Sequence, residues 1–276
     1  MTLKEDLQSR RFWRCVLVEA LGTLMFVLVV LATSAPSAEN SAPPALQSAL
    51  AAGMSAVGLV HCFGDISGAQ VNPAVTVAFF CTRKLDFLHC VAYMVAQCLG
   101  ATFAAGLFYL TVPQTAASHL VTRVRSDGNA GHALGMELFA TFQLVFTIFA
   151  VEEHRRREMG EPGSLAIGFS LTAGALTAGS FSGGSMNPAR SLGPAVITGI
   201  WEYHWVYWMG PMLGSVLAGI SYEFFVASSA SREKLVACLT CKDIEIVETT
   251  SVSRSSLSTI TQNVMRAKQA SKHDNN

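Results

Sequence analysis

Two short stretches hold the residues best suited to chemistry: Ser67-Gly-Ala-Gln-Val-Asn-Pro-Ala-Val75 and Ser182-Gly-Gly-Ser-Met-Asn-Pro-Ala-Arg190. In each, Asn-Pro-Ala opens a short apolar run, Ala74 to Phe80 in the first and Ala189 to Ile197 in the second. Asn is a strong N-cap and Pro fits the first helical turn, so each stretch predicts a capped helix start. A helix start presents free N–H donors and a partial positive charge. Brought together, Pro73-Ala74 and Pro188-Ala189 would build two turns that aim the amides of Asn72 and Asn187 into one constriction. A water molecule there accepts from both amides, whereas two positive helix ends repel cations and hydronium.

Three charged residues belong to the same picture. Arg190 follows the second motif directly, in an apolar setting where carbonyls or water must hold its charge. Beside a pore it would repel cations and donate hydrogen bonds to a passing solute. Glu19 and Glu137 lie inside apolar runs at matching positions. A carboxylate at membrane depth must find partners. A proton relay is one use. The structural use is favoured, each acid accepting N–H bonds from the irregular loop of its own half. Gln97 reads as a packed or hydrogen-bonding helix residue, and His61 and His204 stand alone.

These residues need an apolar scaffold, and the composition supplies one. The chain has 276 residues, 51% hydrophobic and 14% charged, with zero formal net charge. A soluble domain carries about 25% charge. Apolar runs of bilayer-crossing length recur, which predicts an all-α membrane protein. Without a basic stripe there is no reason to expect a nucleic-acid partner. Seven scattered Cys argue against a disulfide framework. Cys238-Leu-Thr-Cys241 is half of a metal site at most. No metal and no cofactor is expected. No nucleophile–His–acid cluster or phosphate loop is present either, so an enzyme is not expected.

Six crossings are read at roughly 13–33, 46–63, 87–110, 133–151, 164–179 and 205–226, with a half-length helix after each Asn-Pro-Ala. Lys and Arg concentrate in residues 1–14, at 83–84, in 152–163 and in the tail, so both termini are expected to be cytoplasmic. The chain also repeats itself. Glu19-Ala-Leu-Gly-Thr23 answers Glu137-Leu-Phe-Ala-Thr141, and Tyr93 to Gly100 answers Tyr207 to Gly214. Three crossings per half is an odd number, so the second half must be inverted in the membrane. The expected layout is a cytoplasmic N-terminus over 1–11, a channel domain over 12–226 and a cytoplasmic, mostly disordered tail over 227–276. The repeats fall at about 12–111 and 132–226.

The two motifs, their spacing and the repeat resemble the aquaporin (major intrinsic protein) family over about Arg11 to Phe225. His204-Trp-Val-Tyr-Trp-Met-Gly-Pro211 is similar to the lens and vasopressin-regulated water-channel branch. The resemblance implies a homotetramer with one pore per subunit, in the plasma membrane. It also implies water selectivity, because Ser191, Ala195, Tyr207 and Trp208 match the water channels where glycerol channels differ. The departure lies in the outer filter. There water channels usually carry Phe, His and often Cys, and this chain has Ala52, Ala175 and Gly184, with only Arg190 kept. The filter is therefore expected to be wider, open to glycerol, urea or ammonia unless Met54 or Phe181 refills it. With Gly184 in place of Cys, mercurial block at that position is expected to be absent.

Passive water conduction is the main expectation. A broader neutral-solute pore, or a junctional membrane tetramer of low conductance, is the alternative. The tail run Ser251 to Thr259 offers Ser253, Ser255, Ser256 and Ser258 to a kinase or a tail-binding scaffold.

Overall fold

The computed structural model describes residues 3–35, 45–111, 120–125, 129–153 and 163–240. Its first unit runs from Met1 to Tyr222 and its second from Glu223 onward. In the first unit, α1 (Leu3–Gln8) precedes α2 (Arg10–Ser34). Then come α3 (Ala45–Ser67), α4 (Pro73–Cys81), α5 (Phe87–Tyr109), α6 (Ala130–Glu152), α7 (Gly163–Ser182), α8 (Pro188–Thr198) and α9 (Val206–Ser221). Among the described residues there is no strand. Six stretches are long and apolar enough to cross a membrane: α2, α3, α5, α6, α7 and Val206–Val226, which contains α9.

Local chemistry marks the helix starts. Ser9, Asp86 and Asn129 cap α2, α5 and α6 by accepting N–H bonds through their side chains. Such caps satisfy donors that the first turn leaves free. The two half-helices α4 and α8 start on Asn72 and Asn187 with Pro in the first turn. α1 adds a helical turn within the stretch read as a polar N-terminus.

The repeat governs the packing. α2 lies against α3 and α5, and α6 lies against α7 and α9. α8 packs on α5 and α4 packs on α9, so each half-helix rests on the last long helix of the other half. α3 and α7 meet between the halves. Small residues permit these approaches, as expected where lipid leaves packing rather than the hydrophobic effect to drive association. A Cβ on Gly100 would stand 2.2 Å from the Ala20 carbonyl oxygen, and one on Gly214 would stand 2.2 Å from that of Leu138. These are equivalent crossings in the two repeats. The core is rich in alanine, including Ala101, Ala104, Ala140 and Ala189, while Leu17, Leu99, Phe103 and Phe169 are exposed outward.

The second unit is described through Thr240. Within the tail that the sequence reads as mostly disordered, Arg232–Leu239 forms a helix, α10. Its cap is Ser231, whose Oγ accepts from Lys234 N at 3.1 Å. Lys234 is buried and its Nζ donates to Glu223 Oε1 and, at 3.0 Å, to Ser229 Oγ. The apolar run Leu235-Val-Ala-Cys238 and the cap are local signals that the Ser- and Thr-rich composition of the tail obscures. Ser253, Ser255, Ser256 and Ser258 lie outside the described residues, as does Cys241.

Candidate pore

Each Asn-Pro-Ala loop has an unusual backbone, and the two loops match. Gly68, Ala69 and Val71 have φ of 89°, 46° and 43°; Gly183, Gly184 and Met186 have 85°, 62° and 53°. A β-branched residue such as Val71 rarely enters that region. Such conformations cost about 1–3 kcal/mol each and persist only when surroundings hold them.

The two buried acids supply the hold. Glu19 accepts from Ser67 Oγ (2.6 Å), Gln70 N (3.0 Å), Val71 N (2.7 Å) and Gln97 Nε2 (2.8 Å). Glu137 accepts from Ser182 Oγ (2.5 Å), Ser185 N (2.7 Å) and Met186 N (2.7 Å). Both carboxylates are fully buried. Gln97 also donates to Thr76 Oγ1 at 3.0 Å, tying α5 to α4. In the second half the corresponding brace is Tyr207, whose hydroxyl donates to the Ser182 carbonyl at 2.7 Å.

The asparagines do more than cap. Asn72 Oδ1 accepts from Ala74 N at 2.9 Å, and Asn187 Oδ1 accepts from Ala189 N at 3.0 Å and Arg190 N at 3.2 Å. Their Nδ2 atoms cross between the halves. Asn72 donates to the Met186 carbonyl (2.8 Å) and Asn187 to the Val71 carbonyl (2.9 Å). The sequence suggests that both amides aim their N–H groups into the constriction; here each amide is shared with the opposite loop. One N–H of each clasps the opposite loop and one remains. A side-chain amide has two N–H donors, so it serves both tasks.

Two cavities flank this clasp. The first, about 370 Å³, is lined by residues including Gly68, Ala69, Gln70, Asn72 and Asn187, with Asp65 and Glu152. The second, about 310 Å³, contains all four expected filter residues, Ala52, Ala175, Gly184 and Arg190, with Arg123 and Met186. Phe26 and Leu171 line both cavities. Neither Met54 nor Phe181 lines the second cavity, and both are exposed elsewhere. Gly184 does not behave as an empty place, however. A Cβ there would stand 2.8 Å from the Ala175 carbonyl oxygen. The room given up by a missing side chain is taken by the α7 backbone. Of the three small residues, Ala52 and Ala175 are therefore the ones that could leave this cavity open.

Arg190 lies in the first turn of α8, and its guanidinium makes no hydrogen bond to a described residue. The sequence reading expects carbonyls or water to hold it; among the described residues no carbonyl does so. Ser191 belongs to a buried hydroxyl chain, bonded to Thr122 Oγ1 and Ser185 Oγ at 2.6 Å each. Ser185 Oγ in turn donates to the Asn187 carbonyl at 2.9 Å. Ala195 is buried, and Trp208 Nε1 donates to His204 Nε2 at 3.1 Å. Burial holds His204 below its ordinary pKa, which keeps the acceptor nitrogen free at neutral pH. Ser191, Ala195, Tyr207 and Trp208 line neither cavity. Among the described residues no cluster of His, Cys, Asp or Glu has metal-binding geometry.

Comparison with known proteins agrees with this geometry. The family described as Major intrinsic protein matches residues 6–222. Aquaporin-4 of Rattus norvegicus is 48% identical over 220 residues, which is 78% of this chain and 68% of that protein. Aquaporin-2 of Rattus norvegicus is 42% identical over 227 residues, 82% of this chain and 83% of that protein. The X-ray structure of the aquaglyceroporin from Plasmodium falciparum matches with a TM-score of 0.67 at 23% identity. That match covers 76% of this chain and 95% of the other, and it speaks to the fold alone.

Proposed function

The chain belongs to the major intrinsic protein family, and from that premise we propose how its pore works. It is a multi-pass membrane protein and a passive water channel driven by osmotic gradients; it makes and breaks no bonds. One observation carries the mechanism: the reciprocal clasp of Asn72 and Asn187 at the junction of two cavities. Water passes singly between two helix starts, accepting from the one free N–H on each asparagine. Accepting from both sides turns its own hydrogens outward and breaks the donor chain that a proton needs. The positive ends of α4 and α8, with Arg190, repel cations. Glu19 and Glu137 stay structural: Glu19 takes four donors and Glu137 three, most of them from the loop of the same half.

The filter is Ala52, Ala175, Gly184 and Arg190, and it is wide enough for small neutral solutes as well as water. The two alanines lining the second cavity support this reading. The protein works as a homotetramer in the plasma membrane with both termini cytoplasmic, supported by the distribution of Lys and Arg and by the family. Ser253, Ser255, Ser256 and Ser258 serve as kinase sites that control a tail-binding partner, supported by the Ser-rich run beside Arg254.

The test is stopped-flow light scattering on reconstituted vesicles. Osmotic water permeability should rise well above that of empty vesicles, and its absence sinks the channel. Glycerol and urea uptake should be measurable. The double substitution Ala52→Phe, Ala175→His should cut glycerol uptake about tenfold or more while water still passes, the size of effect expected from closing a pocket to one solute. Glycerol exclusion by both forms would show that the filter is already narrow.

A further inference from the structure

We propose that the second cavity is a binding site for small monovalent oxyanions, gripped between Arg123 and Arg190, and that its occupation blocks the pore. The proposal rests on the reading of this cavity as part of the water path. Both arginines line the cavity, Arg190 from the first turn of α8 and Arg123 from the segment beside Gly183. Neither guanidinium hydrogen-bonds to a described residue, and among the described residues no Asp or Glu lines the cavity. The first cavity differs: among the described residues Asp65 and Glu152 stand in its wall and no Lys or Arg does. The described walls of the two cavities therefore differ in the charged residues they carry.

The ligand class follows from the donors. A guanidinium is a planar fork that matches the oxygens of a carboxylate, sulfonate or nitrate and binds them more strongly than it binds neutral acceptors. The nearby start of α8 adds partial positive charge. Size permits such a guest: the cavity is about 310 Å³, against about 30 Å³ for one water in the liquid. Ala52 and Ala175 are what leave the arginines reachable, since bulkier side chains at these positions would fill the space in front of them. An anion that enters does not pass on. Ahead lie the reciprocal clasp of Asn72 and Asn187 and then the Asp65 side of the first cavity. It stays at the arginines and stops water behind it.

The experiment uses the full chain in vesicles, with sodium methanesulfonate or sodium chloride on both sides at equal ionic strength and shrinkage driven by sorbitol. Methanesulfonate is a strong acid anion and does not cross lipid as a neutral acid. Water permeability should fall in methanesulfonate relative to chloride. In Arg123→Gln the half-blocking concentration should rise about tenfold, the loss expected for one charge-assisted pair. Arg123→Lys, which keeps the charge and loses the fork, should fall between. Equal permeability in the two salts, or equal block in wild type and Arg123→Gln, overturns the proposal. Calorimetric titration of methanesulfonate into the solubilised protein reads binding without flux. Missing heat there sinks the anion site, whereas missing flux in chloride sinks the channel reading instead.

Discussion

Glu137 shows how one side chain sets the pore geometry. Its two oxygens take three donors from the second loop, Ser182 Oγ, Ser185 N and Met186 N. Three loop residues, Gly183, Gly184 and Met186, sit at positive φ, and of these Met186 is strained there, so without these bonds the loop has reason to relax. Glu137→Gln keeps one acceptor oxygen and points an NH2 at a donor. Leaving such a buried donor unmatched costs about 1–3 kcal/mol. The variant should melt earlier in detergent and conduct less water, with both readouts falling together. Full flux at an unchanged melting point would show that Glu137 is not what holds the loop. Much of this site was legible beforehand, because a lone acid in an apolar run demands partners and the repeat says which loop provides them. The cross-clasp of Asn72 with the Met186 carbonyl was not legible. A capping motif says where an amide oxygen goes and nothing about which distant carbonyl its nitrogen will meet. The contact of Gly184 with the Ala175 backbone was hidden for a related reason: a glycine in the sequence looks the same whether it opens a space or lets a neighbour fill it.

Among the elements, the crossings of α2 with α5 and of α6 with α9 are the two most extensive, and each has a glycine at a close approach. In Gly214→Val a Cβ would sit 2.2 Å from the Leu138 carbonyl oxygen, so α6 and α9 must part. Overpacking of this kind costs about 1–3 kcal/mol. It also shifts Tyr207, which braces Ser182 from the same helix. Lower thermal stability and reduced flux are expected, and Gly100→Val should mirror both because it occupies the equivalent crossing. A unaffected Gly100→Val beside a damaged Gly214→Val would break the symmetry claimed for the packing. The start of α5 gives a milder test. Asp86 Oδ1 accepts from His89 N at 3.0 Å, and Oδ2 meets His89 Nδ1 at 2.5 Å. Partial burial pushes the Asp86 carboxyl up, but the His89 N–H and its charge outweigh this and hold it below 3.8. With a lowered folded pKa, the stabilisation is full above the unfolded value and vanishes as pH falls through the folded one. Asp86→Ala should cost about 1 kcal/mol at neutral pH, as lost caps do. In melting curves the gap to wild type should close only below about pH 4. Helix existence was readable from run length and capping residues. Helix ends were less so: α2 begins at Arg10 and not Trp13, since Ser9 provides a cap that pulls the basic turn into the helix. α10 was missed because eight helical residues inside a polar tail carry almost no periodic signal.

For the whole molecule, the inverted repeat brings two strained loops from the two halves of the chain together, and the chemistry of the cavities beside them decides what can block the path. Mercurial reagents act on thiols, so block requires a cysteine on the water path. Among the described residues no cysteine lines either cavity. Cys15 is buried and its Sγ donates to the Ile66 carbonyl at 3.0 Å, and Cys90 is buried in α5. Cys62 is exposed on α3 and, like the partly buried Cys81 and Cys98, belongs to the helical scaffold and not to the cavity walls. At Gly184, the place where a thiol would face the filter, the α7 backbone already occupies the space a Cβ would need. Mercuric chloride should therefore leave osmotic permeability unchanged in reconstituted vesicles. Loss of flux that a thiol reductant restores would mean that a cysteine reaches the path after all. Replacing Cys62, Cys81 and Cys98 by Ser one at a time would then identify it. A Gly184→Cys variant should not simply create a mercury-sensitive channel, because its side chain must first push the Ala175 backbone aside; lower folded yield should accompany any sensitivity gained.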